Sequence, residues 1–115
     1  MGRVRVYPNE AVRRVIAFIP EGHLHVRLVL ELDDQTIVLQ EATVAAIVRA
    51  YASVALHPTR RAVELASRRL GKGERKPFYA EWQLLETGRS EEEVLEEAEK
   101  LLEEAERPGG GAEAS

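Results

Sequence analysis

Between His23 and Leu32 apolar and polar positions alternate: Leu24, Val26, Leu28, Leu30 and Leu32 interleave with His23, His25, Arg27, Val29 and Glu31. A period of two sends successive side chains to opposite faces, so the segment predicts a strand with one buried face and one basic to mixed face. Asp33-Asp34-Gln35 supplies turn residues, and Thr36 to Gln40 predicts a returning strand with Ile37 and Leu39 on one side. Upstream, Val12 to Ile19 reads two ways. Val12, Val15, Ile16 and Ile19 fit helical spacing, whereas the short length and β-branched content fit a strand; the Pro20-Glu21-Gly22 turn that follows favours the strand. Together the three segments predict a β-meander.

The period then lengthens. Thr43 to Ala55 predicts a helix with Val44, Ile47, Val48 and Tyr51 on one stripe and an Ala-rich remainder suited to close packing against the sheet. His57-Pro58-Thr59 interrupts it, because proline disfavours a helical conformation at the preceding residue. Arg60 to Leu70 predicts a second helix, with Ala62, Leu65, Ala66 and Leu70 towards the core and Gly71 as a left-handed cap. The basic loop from Gly71 to Pro77 leads into Phe78 to Leu85, where Phe78, Ala80, Trp82 and Leu84 alternate with Tyr79, Glu81, Gln83 and Leu85 as a fourth strand. Ser90 and Glu93 form a capping box, and Glu91, Glu92 and Glu93 sit where a helix dipole favours negative charge. Val94, Leu95, Ala98, Leu101, Leu102 and Ala105 then make a heptad seam. At about two heptads it is too short to join two free chains alone, although it could extend a dimer interface begun elsewhere. The expected architecture is a single α+β domain over residues 1–107. It has an antiparallel sheet of about four strands, the meander plus one later strand, flanked by two to three helices. The last of these, residues 90–107, is acidic, amphipathic and zipper-like. The Gly/Ala-rich residues 108–115 are expected to be a disordered tail.

Composition narrows the class. A chain of 115 residues suits one domain large enough to bury a core. The absence of cysteine removes disulfides, thiolate zinc sites and a Cys nucleophile. No apolar run approaches the roughly 20 residues of a membrane span, and no signal-peptide core opens the chain, so a cytoplasmic protein with no membrane partner is expected. The net charge of -4 argues at first against a polyanionic partner. Its distribution reverses that inference: residues 1–80 hold 13 basic and 8 acidic side chains, net +5, and residues 81–115 hold 3 and 12, net -9. Thirteen of the 16 basic residues are arginine, whose planar fork pairs with phosphates and stacks on bases. One Asn, three Gln and one Met among so many charges fit a thermophilic source.

Catalytic chemistry is poorly provided for. His23 and His25 would point to one side of a strand, as in a paired metal site, but the obvious third ligand is absent and an exposed strand face explains them. His57 beside Pro58 reads as a helix-boundary residue. Gly71-Lys72-Gly73 lacks the preceding strand and the following Ser/Thr of a phosphate loop, and Asp33 and Asp34 are explained by a turn. No Ser/His/Asp or Cys/His set is present. The expectation is a non-enzyme with no catalytic residues, no metal and no cofactor. Binding has more support: the strands offer His25, Arg27 and Arg13 or Arg14, the expected second helix carries Arg60, Arg61, Arg68 and Arg69, and the loop adds Lys72, Arg75 and Lys76, next to which stand Phe78, Tyr79 and Trp82. Cations that track phosphates and aromatic faces that stack unpaired bases make a surface for single-stranded nucleic acid. The competing reading puts Phe78 and Trp82 in the core and the arginines in a solvated ion-pair surface.

The run Leu39 to Tyr51, followed by His57-Pro58 and by Lys76-Pro77-Phe78-Tyr79-Ala80-Glu81-Trp82-Gln83-Leu84, resembles the ThermoDBP-related single-stranded-DNA-binding proteins of hyperthermophilic archaea. The resemblance covers roughly residues 23–106. It implies a small α+β domain that pairs as dimers or higher homo-oligomers and holds single-stranded DNA, and RNA as a second candidate, in a cleft or between subunits. Carried over, it nominates Arg27, Arg49, Tyr51, Arg75, Lys76, Tyr79 and Trp82 as nucleic-acid contacts, with Tyr51 and Trp82 open to a core role as well. The C-terminal helix is shorter than the zipper of the founding type. The alternative is a protein-interaction or oligomerisation module with no nucleic-acid role.

Overall fold

The alternating segments pair as an antiparallel meander in the computed structural model, which describes residues 3–106. Its strands are β1 (Val12–Phe18), β2 (Arg27–Leu32) and β3 (Thr36–Gln40), in the order β1-β2-β3. Register places Val15, Leu30 and Ile37 in one cross-strand row, and Ile16, Val29 and Val38 in the next row on the opposite face. The turn between β1 and β2 closes through His23 N–H to Pro20 C=O at 3.0 Å, with Gly22 at φ 82°, a conformation a side chain would strain. The acidic turn between β2 and β3 is held by the N-terminal segment: Arg5 bridges Asp33 at 2.9 Å and Asp34 at 2.5 Å, and the Tyr7 hydroxyl donates to Asp34 at 2.9 Å.

The second strand starts later than the alternation predicts. Val26 N–H donates to Glu41 Oε1 at 2.5 Å, and pairing begins only at Arg27. His23 and His25 therefore lie before the strand and do not form a pair on one strand face. Glu41 opens α1 (Glu41–Ala55), so one carboxylate ties the start of β2 to the start of the helix. The Val26 hydrogen bond, with His25 and Arg27 nearby, holds the Glu41 carboxyl below its ordinary range. A carboxyl depressed in the folded state stabilises it above the unfolded pKa, and that contribution disappears as pH falls through the folded one. Thermal unfolding followed from about pH 6 to pH 2 is expected to show a steeper loss for the native chain than for Glu41→Gln, the difference developing below the usual Glu value of roughly 4.3.

The helix α1 packs its small side inward. Ala46 is 2% exposed, Ala50 and Ser53 continue the same face half-buried, and Ile47, Val48 and Tyr51 point away and are exposed. Along the described chain α1 is the element that packs broadly against both β2 and β3 and against a later strand.

The predicted helix over Arg60 to Leu70 does not form. The His57 Nδ1 accepts hydrogen bonds from the N–H groups of Thr59 and Arg60, at 3.2 and 3.0 Å, and turns the chain out of α1. Beyond this turn β4 (Leu65–Arg69) pairs antiparallel with β5 (Trp82–Glu86), from Leu65 opposite Glu86 to Arg69 opposite Trp82. The helical spacing of Ala62, Leu65, Ala66 and Leu70 was a local preference, and pairing with the apolar β5 overrides it. With no helix to end, Gly71 is not left-handed; its N–H donates to Glu74 Oε1 at 2.8 Å in the loop. The described residues thus form two sheets of three and two strands, where one sheet of about four was predicted. The predicted strand over Phe78 to Leu85 is also shortened, because Tyr79 N–H bonds Lys76 C=O in a turn and pairing begins at Trp82.

At the base of the hairpin the Thr87 hydroxyl donates to Glu64 at 2.8 Å, and Arg89 reaches Glu64 and Glu97 at 3.0 and 2.7 Å. The capping box forms as predicted: Ser90 N–H donates to Glu93 Oε1 and Glu93 N–H to Ser90 Oγ, both at 3.2 Å. It starts α2 (Glu91–Glu106), whose Leu101 and Leu102 remain exposed. Arg107 and the predicted tail over 108–115 lie outside the described residues. No described helix is long and apolar enough to cross a membrane.

Candidate nucleic-acid interface

The groove between α1 and the β4–β5 hairpin, about 520 Å³, collects charged and aromatic side chains from three elements. Arg49 reaches it from the helix and donates through Nη2 to Leu84 C=O at 2.7 Å, joining α1 to β5. Cross-strand pairing of Arg68 with Gln83 and of Ala66 with Leu85 sets one face of the hairpin towards the groove, and Lys76 and Tyr79 close it from the loop. The Lys76 ammonium stands 5.9 Å from the centre of the Tyr79 ring, within cation–π range. A second depression on the same hairpin is lined by Arg69, Lys72, Arg75 and Glu81. Arg75 connects the two, since its Nε donates to Tyr79 C=O at 3.3 Å.

Two classes of cation are distinguished by their partners. Arg5, Arg14, Arg60, Arg68, Arg69 and Arg89 are each paired with a carboxylate. Arg13, Arg27, Arg49, Arg61, Lys72, Arg75 and Lys76 have no carboxylate salt bridge among the described residues. The ion-pair surface and the uncompensated positive charge thus occupy different side chains; of the second set Arg49, Lys72, Arg75 and Lys76 lie at the groove and its loop, and Arg13, Arg27 and Arg61 lie apart from it. Glu74 is the acidic member there. The Gly71 N–H and then the Arg68 guanidinium hold its carboxyl below the ordinary range, so it stays ionised and keeps Arg68 occupied at neutral pH.

The aromatic side chains beside those cations are open to solvent: Phe78 is 76% exposed, Trp82 58% and Tyr79 56%. Trp82 sits opposite Arg69 on the hairpin face away from Gln83, so Tyr79 and Trp82 face different sides. Phe78 has φ 68°, in the left-handed region, which costs a bulky residue of order 1 kcal/mol or more. Phe78 belongs to the aromatic cluster of the sequence reading but is not among the contacts that the resemblance nominates, and its exposure adds it to the candidates.

The seven nominated residues divide accordingly. Arg49, Lys76 and Tyr79 line the main groove, and Arg75 and Trp82 lie on the adjoining hairpin and loop. Arg27 sits apart on β2, where its Nη1 donates to His25 C=O at 3.3 Å, and Tyr51 lies on the outer face of α1. Neither lines the groove. No cluster of three His, Asp or Glu side chains that could hold a metal ion occurs among the described residues. Compared with protein-family models, with curated proteins and with solved structures, the chain matches none.

Proposed function

We propose that the protein binds single-stranded nucleic acid, DNA in the first place, with little sequence preference and without catalysing a reaction, and that it protects or organises exposed strands as a homo-oligomer. The observation that carries this reading is the company of Arg49, Lys72, Arg75 and Lys76, cations without carboxylate partners, with the exposed rings of Phe78, Tyr79 and Trp82. Such cations bind phosphates by releasing counterions, and every base offers a face that an aromatic ring can stack on, so affinity without sequence readout follows. The resemblance to the ThermoDBP-related proteins points the same way.

Anisotropy titration of labelled oligo-dT, with the corresponding duplex as competitor, tests the reading. Binding of the single strand is expected to be tighter than that of the duplex and to weaken steeply with salt. Tyr79→Ala or Trp82→Ala should each weaken it by about 1–3 kcal/mol, the worth of one stacked base. Absence of oligo-dT binding at low salt would leave the alternative, an interaction module whose arginines serve only ion-pair networks. That alternative draws on the exposed apolar side chains of α1 and α2.

A further inference from the structure

The amphipathicity of α1 is directed outward. Its packed side is the small one, Ala46, Ala50 and Ser53, whereas Val44, Ile47, Val48, Tyr51 and Ala55 fall on the opposite side of the helical wheel. Tyr51 is 70% exposed, Val48 60% and Ile47 52%. A surface helix ordinarily turns its large apolar residues to the core, so this arrangement leaves a face without its complement. We infer that the outer face of α1 is an isologous interface with the same face of a second copy of this chain, which deepens the self-association part of the proposed function and stands apart from nucleic-acid binding.

Three observations select a second copy. The first is area. The chain exposes 8874 Å², against about 6,300 Å² for a compact monomer of its mass. Residues 1–2 and 107–115 can account for at most about 1,500 Å² of that excess at the fully exposed limit. The remaining surplus, about 1,000 Å² per chain, matches one side of a stable homodimer interface. The stripe of Ile47, Val48 and Tyr51 supplies on the order of 350 Å² of it.

The second is charge. Glu41 and Arg49 are the charged residues of α1, one of each sign, and both are engaged within the chain, Glu41 by the Val26 N–H and Arg49 by the Leu84 carbonyl, so two copies meet without strong repulsion. The seam of α2 is embedded among nine glutamates and one lysine, so pairing α2 with itself would bring strong like charges together. The third is continuity with the groove. Arg49 and Ser53 line it from the other flank of the same helix, so pairing through α1 leaves the groove open and sets two grooves beside one interface. Tyr51 thereby becomes an interface residue instead of a nucleic-acid contact.

Sedimentation of the full chain at tens of micromolar tests this. The native protein is expected near 26 kDa, about twice the 12.9 kDa chain. The double variant Val48→Glu/Tyr51→Glu, with far-UV circular dichroism unchanged because both positions are open in the monomer, is expected as a monomer, its dissociation constant raised roughly 100-fold or more. The chain has no cysteine, so a single introduced one can bridge only to another copy. Val48→Cys or Tyr51→Cys is expected to cross-link under mild oxidation, and Leu102→Cys is not. Should the glutamate variant unfold, this comparison decides. A monomeric native chain overturns the inference and the self-association it rests on, while oligo-dT binding is read independently. A native dimer that survives the double variant, or cross-links through Leu102→Cys in place of α1, overturns the α1 interface alone.

Discussion

Reversing two charges of the loop, Arg75→Glu with Lys76→Glu, is expected to lower affinity for oligo-dT by roughly two orders of magnitude at low salt. Both cations lack a carboxylate partner among the described residues, so neither substitution breaks an ion pair of the fold, and both side chains are exposed. A phosphate contact on a single strand adds about 0.7 to the slope of log affinity against log salt, so loss of two should flatten that slope by about 1.4. Thermal unfolding should stay close to that of the native chain. The informative control is Arg14→Glu. Arg14 pairs with Glu31 at 2.9 Å on the meander, away from the groove, and its reversal shifts net charge in the same direction as each loop reversal while leaving the slope unaltered. A double variant with an unchanged salt slope would place the phosphate contacts elsewhere.

A larger side chain at Ala46 should have the greatest effect on stability. Ala46 is the buried residue of α1 where the helix meets its neighbours, and its methyl allows the close approach that also lets Arg49 reach Leu84 C=O. Ala46→Leu is expected to cost about 1–3 kcal/mol by overpacking. In a domain of this size that lowers the melting temperature by roughly 4–8 °C per kcal/mol. Ala45→Leu, one residue earlier and exposed, should leave it nearly unchanged, which separates overpacking from any general effect of leucine.

The elements differ in how far they could be read from the residues. The meander was legible because period-two alternation in Leu28–Leu30–Leu32 and turn chemistry at Pro20–Gly22 and Asp33–Gln35 agree with one another. The capping box at Ser90 is a contact across three residues and depends on nothing remote. The hairpin was hidden for the opposite reason. Leu65-Ala66-Ser67-Arg68-Arg69 contains no β-branched or aromatic residue, and its strand state comes from a partner more than a dozen residues away. The late start of β5 shares that origin, since the Lys76–Tyr79 turn consumes residues whose alternation looked like a strand.

The site followed the same division. The basic loop and its adjoining aromatic residues were visible as a cluster in sequence, and Arg49 joins them through one hydrogen bond to Leu84 C=O that no spacing rule suggests. Arg27 was drawn in by its place on an alternating strand, yet it stays with the meander. Which arginines are neutralised was not legible at all, because ion pairs such as Arg60 with Glu86 and Arg89 with Glu64 span distant segments.

The hairpin β4–β5 belongs to a separate sheet from the meander, and α1 is the element that packs broadly on both. The groove is therefore a gap between two bodies coupled through one helix, with Arg49 as a latch across it. Its aperture is set by how closely the hairpin approaches the small face of α1. Under the proposed function, a strand entering the gap would offer Arg49 a charged phosphate in place of the Leu84 carbonyl, so the ligand would supply free energy for opening the latch. Bulk at Ala46 then acts as a shim, changing the fit of the groove through the same residue that governs the stability of the fold.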